Sequence, residues 1–312
     1  MKRALLLTFA LTVLSACADE VPPGIVLGRA LVTACPVAAA NDAAAREACA
    51  DALTDMTELR DALTDPVLWG GQPDGFHAAD LLTDASLTQF DPRVWRRMYL
   101  STFMFEAAPS EMEQDGKYQV LRMRVQFRNK LDAGDYPYPF WHSGKKWTAY
   151  EQATEVLFVF DSAGRIPVAV RTTPDPTHEH DPRTWDGVWT WNAGQEPHVS
   201  LYTYLFSPGN PHVAALDTAY RSLEETMREQ DCSKCHSPSN SAMALHLELL
   251  NYPNQALTAR HKIAHLIQIN AMPPVTGIPS DDTRADLIQR AMTFANAGDA
   301  ALAYEGEPVP SL

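Results

Sequence analysis

Cys232-Ser233-Lys234-Cys235-His236 governs how the last third of this chain is read. It is the C-x-x-C-H pattern of covalent haem attachment. Two thiols three positions apart can add to the two vinyl groups of a haem, and the next histidine is then placed to ligate the iron. Three other uses of such a pair compete. A zinc ribbon would want a second C-x-x-C, and the sequence has none. A thioredoxin-like redox pair would sit at a strand-to-helix turn, whereas here a helical pattern precedes it. A plain disulfide leaves His236 without a part. That preceding pattern, over 213–230, carries Leu216, Tyr220, Leu223 and Met227 as one apolar stripe. Two more helices are expected over 255–269 and 282–297, the second with Leu287, Ile288, Ala291 and Phe294 as its stripe and Ser280 or Asp281 as its cap.

Residues 212–303 resemble a class I cytochrome c domain: a helix, C-x-x-C-H, a further helix, the loop Met272-Pro273-Pro274 and a closing helix. The resemblance covers under a third of the chain. It implies one covalent haem c, with Cys232, Cys235 and His236 as the attachment residues and Met272 as the distal ligand. A thioether opposite imidazole raises the iron potential and leaves no open coordination position, which suits electron transfer. Competing distal ligands are His261 and His265, four positions apart on one expected helix, and His246. An open iron site is the remaining alternative.

Met1-Lys2-Arg3, the apolar run of residues 4–14 and Ser15-Ala16-Cys17 read as a secretory signal over 1–16. Leu14-Ser15-Ala16-Cys17 looks like a bacterial lipobox, so Cys17 is the expected lipidation site, followed by a tether over 17–30. The expected location is the cell envelope, facing the periplasm and held to a membrane by acyl chains. In such a compartment Cys35 and Cys49 are expected to form a disulfide. Twenty-five basic against 39 acidic residues give a formal charge of −14, which argues against nucleic acid as a partner. Redox partner proteins at the membrane, offering basic surfaces, are the expected partners.

Working outward, residues 31–116 read as helical and 117–207 as a mainly antiparallel sheet. Leu121, Met123, Val125 and Phe127 alternate with Arg122, Arg124, Gln126 and Arg128, a half-buried strand with a solvated or salt-bridged basic face. Hairpins are expected over 155–171, around Asp161-Ser162-Ala163-Gly164, and over 188–206. The stretch 136–142 (Tyr-Pro-Tyr-Pro-Phe-Trp-His) reads as a rigid covering loop, and His178 with His180 as a weak copper or zinc candidate. Ser207-Pro208-Gly209-Asn210-Pro211 marks a boundary before a cytochrome c-like domain over 208–303, and 304–312 reads as a tail. The expected fold is α+β. The expected function is one-electron transfer by a membrane-anchored monohaem cytochrome. The alternatives are a peroxidase-like haem oxidoreductase whose β region shapes a substrate pocket, and a haem-based sensor or subunit of a larger redox complex.

Overall fold

The computed structural model describes residues 21–72, 75–128, 152–172, 202, 205–230, 232–236 and 253–307. Pro22 caps and Pro23 opens the first helix, α1 (Pro23–Ala34), where a missing N–H costs nothing and φ is already helical. Residues 23–30 are therefore helix, so the part of the expected 17–30 tether that the structure describes is largely helical; 17–20 lie outside the described residues. Ile25, Leu27 and Leu31 are buried. The helix lies close on the sheet because its inner face is small: a Cβ at Gly28 would fall 3.2 Å from the sulfur of Met123, a residue of the sheet. Asp42 accepts the Ala45 N–H at 2.8 Å and caps α2 (Ala43–Asp55). A disulfide joins Cys35, just past α1, to Cys49 in α2, with their Cα atoms 4.8 Å apart. Closing a loop of this size stabilises by about 3 kcal/mol in the chain-entropy account.

After the short α3 (Thr57–Ala62) the chain enters β1 (Leu63–Gln72). Then come α4 (Ala78–Leu81), β2 (Thr88–Phe90) and α5 (Pro92–Val94). α5 runs on as a π-helical turn over Trp95–Tyr99 and a 3-10 turn over Leu100–Thr102. The remaining strands are β3 (Phe103–Phe105), β4 (Glu113–Asp115), β5 (Tyr118–Phe127), β6 (Glu155–Phe160) and β7 (Ile166–Thr172). The sheet order is β2-β1-β7-β6-β5-β3, with β4 beside β5. Residues 31–116, expected to be helical, hold β1 to β4 besides their helices, so the sheet reaches beyond 117–207. Its pairs are antiparallel, as expected of a mainly antiparallel sheet, except that β1 runs parallel to β7, which makes the sheet mixed. Asp65-Pro66 and Gly70-Gly71 make β1 look like turn sequence; a register irregularity between Leu63 and Leu68 accommodates the proline.

The β6–β7 hairpin forms as expected, its turn held by Asp161 accepting the Ala163 and Arg165 N–H groups at 2.9 Å. One sheet face packs Trp69, Met123, Phe158 and Ala169 into the main core, where Trp69 and Trp95 meet edge to face at 5.6 Å. The other face forms a smaller core of Val120, Leu157, Val159, Val168 and Val170 under α4. On the basic strand, Arg122 pairs with Glu113 at 2.8 Å and with Glu155 at 2.5 Å. Arg128 departs from the expected solvated face: it is fully buried.

Beyond 207 come α6 (Val213–Glu229), α7 (Pro253–Thr258), α8 (Arg260–Gln268) and α9 (Asp281–Tyr304). Their apolar stripes join the same main core as the sheet. A buried charged seam runs along the junction. Arg93 contacts Glu305 at 2.9 Å and Glu307 at 3.3 Å, and Arg96 also pairs with Glu307. Asn254 donates to the Tyr99 hydroxyl at 3.0 Å. Residues 304–307 are thus tied down, which corrects their reading as a loose tail.

Candidate functional site

α6 carries the buried residues Leu216, Tyr220, Leu223 and Met227 on one face. The chain then tightens into a 3-10 turn over Cys232–Lys234. The Cys232 carbonyl accepts the Cys235 N–H at 3.1 Å and the His236 N–H at 2.8 Å. One turn therefore carries both sulfurs and the imidazole-bearing residue. Both cysteines are thiols, Cys232 half-buried and Cys235 exposed. Cys232 packs against the main core, and His236 is half-buried.

α9 is the shared backing. Against α6 it pairs Tyr304 with His212 (rings 6.2 Å apart), Phe294 with Tyr220 (5.6 Å), and Arg290 with the Ser222 carbonyl (3.4 Å). Residue numbers rise on one helix as they fall on the other, so α6 and α9 are antiparallel. Against α8, Asp299 holds Arg260 at 2.7 Å and His261 at 2.9 Å. At the other end of α8, Asn270 accepts the Ile278 N–H at 2.7 Å, just before α9 begins. α8 is antiparallel to α9 as well. The carboxyl ends of α6 and α8 therefore lie at one end of the helical unit, where the Cys-Ser-Lys-Cys-His turn and the Met272 loop both emerge.

Met272 is half-buried and, among the described residues packed against the main core, it is not one. Its loop is closed by Asn270 and Gly277, two residues that the sequence reading passed over. Asn and Gly flanking a proline-containing loop are the signal that could have found them. His261 is engaged by Asp299 in the first turn of α8, and His265, one turn on, is exposed. Cys17, His246, His178, His180 and residues 136–142 lie outside the described residues. Among the described residues no three His, Cys, Asp or Glu side chains gather as metal ligands, and no helix is long and apolar enough to cross a membrane.

No protein-family model, no curated protein and no solved structure matches this chain.

A cleft of about 630 Å³ opens elsewhere, between β1, residues 82–89 and the first turn of α8. Asp65, Asp84, Arg260, His261 and Lys262 line it. Packing around Asp65 pushes its carboxyl up to about 6, with Asp91 and Glu307 adding to the rise and Arg260 and His261 opposing it. Asp84 is held below its ordinary value; burial works against this, and hydrogen bonds from Ser86 and Gln72 outweigh it. The cleft lies at the opposite end of α8 from Met272, separated by the roughly 13 Å length of that helix. It is not a pocket beside the Cys-Ser-Lys-Cys-His turn.

Proposed function

We propose that this chain is a lipid-anchored, periplasm-facing monohaem c-type cytochrome that carries single electrons between protein partners. The observation that carries the reading is the C-x-x-C-H turn of Cys232–His236, which emerges at the same end of the helical unit as the Met272 loop. Sequence spacing supplies the donors, and the two antiparallel pairings are consistent with their use together.

The donor set fits the group. Cys232 and Cys235 would form the two thioether links, and His236 and Met272 would ligate the iron. Haem in such a setting supplies a reversible one-electron couple whose potential a methionine ligand raises. The chain's own contribution is to hold these side chains. The 3-10 turn keeps His236 next to its two sulfurs. The packing of Cys232 against the main core anchors that turn to α6. The acidic balance of the chain favours encounter with a basic partner surface. Acylation at Cys17 would keep the carrier beside membrane redox complexes.

The test is a pair of visible spectra, oxidised and reduced, on protein matured in an export-competent bacterium able to attach haem. The expected result is a six-coordinate low-spin spectrum whose pigment stays with the polypeptide in acidified organic solvent. A colourless protein, or pigment that extracts, overturns the proposal.

A further inference from the structure

We propose that Asn270 and Gly277 form a clamp that positions Met272, so that its sulfur is presented by the loop itself and not by core packing. This rests on the reading of Met272 as the axial ligand.

α8 ends in a Schellman arrangement: the Asn270 N–H reaches the Ile267 carbonyl at 3.0 Å, and the Ala271 N–H reaches Leu266 at 2.9 Å. Asn270 sits at the left-handed position of that arrangement, with φ 54°. Asparagine is among the few residues other than glycine that take this conformation readily. Its side chain does a second job, accepting the Ile278 N–H at 2.7 Å across the loop. Inside this closure the Gly277 N–H bonds the Pro273 carbonyl at 2.9 Å. Met272 lies between the outer and the inner closure.

Gly277 is required at its position twice over. Its φ is 61°, and a Cβ there would stand 2.6 to 2.9 Å from the Asn270 carboxamide. Any side chain at 277 would expel the group that closes the loop. At the tip, Val275 is held at φ 76° with its side chain fully exposed. A β-branched residue in that conformation persists only where its surroundings dictate the backbone, a condition that gathers at functional sites. The two nested hydrogen bonds are those surroundings. The loop thus fixes the backbone on both sides of Met272 while its side chain stays out of the main core.

The test uses Asn270→Gly in the haem-loaded protein. Glycine keeps the left-handed helix end and removes the side chain that carries the accepting oxygen; Gly277→Ala attacks the same clamp from the other side, and Asn270→Asp keeps an acceptor in place. Hydrogen exchange at the Ile278 amide should quicken in Asn270→Gly. The ferric thioether band should weaken, and carbon monoxide affinity of the ferrous protein should rise about tenfold, the share of one ordinary hydrogen bond. Asn270→Asp should recover both. If Asn270→Gly and Gly277→Ala leave the band and carbon monoxide affinity unchanged while Met272→Ala alters both, the clamp is overturned and the ligand stands. If Met272→Ala itself changes nothing, the ligand assignment fails and the clamp falls with it.

Discussion

Val275 shows what one residue can reveal. A left-handed backbone costs an ordinary side chain about 1–2 kcal/mol, because Cβ crowds the following carbonyl oxygen. Nothing repays that locally, since the side chain stands in solvent. Glycine would escape the clash at an ordering cost of about 0.5–1 kcal/mol. Val275→Gly is therefore expected to raise stability by about 0.5–1 kcal/mol in urea unfolding. A loss of stability instead would mean that the valine makes a contact that outweighs its strain. At this scale the sequence was most legible where chemistry is carried by residue type. Cys35 and Cys49 needed only oxidising surroundings to pair. Alternation assigns Arg128 to the basic face, but the strand ends at Phe127, so period two no longer applies to it.

Between elements, the charged seam decides how the helices meet the sheet. Arg96 is completely buried. Burial pulls its guanidinium below its ordinary value, and the pairing with Glu307 opposes that. Glu307 also receives Arg93 at 3.3 Å. Removing one partner of such a pair strands a charge in a place water does not reach, whereas replacing both with apolar groups removes the penalty. Glu307→Leu should cost about 3–5 kcal/mol of unfolding free energy, and adding Arg96→Met should recover a large part of it. Equilibrium denaturation of the single and double variants measures both. A single variant within about 0.5 kcal/mol of wild type, the range of ordinary surface changes, would show that the seam contributes nothing. Glu305 and Glu307 could not be recognised as seam residues from their positions. They follow the last helical stripe, where acidic residues usually mean solvent.

Across the whole molecule, Asp65 is influenced by several distant parts of the chain. It stands in β1, near Asp91 before α5, Arg260 and His261 in α8, and Glu307 after α9. Its carboxyl is pushed up to about 6, first by the loss of surrounding water at the cleft wall and then by the neighbouring carboxylates. A folded-state value above the unfolded one means the native state holds the proton more tightly. This contribution to stability is full below the ordinary carboxyl value of 3.8 and is lost as pH rises through about 6. Between those limits the urea midpoint of the wild type should fall with rising pH relative to that of Asp65→Asn, which cannot ionise. Parallel profiles would remove Asp65 as the source of this dependence. Residue type and period determined the Cys-Ser-Lys-Cys-His motif, the turn of the β6–β7 hairpin and the apolar stripes of α6 and α9, because each is set by neighbours a few positions away. Tertiary structure alone decided that β1 joins β7 in parallel, that residues 305 and 307 are buried, and that the Cys232 turn and Met272 emerge at the same end. Those outcomes depend on contacts between residues far apart in the chain, and local patterning carries no term for them.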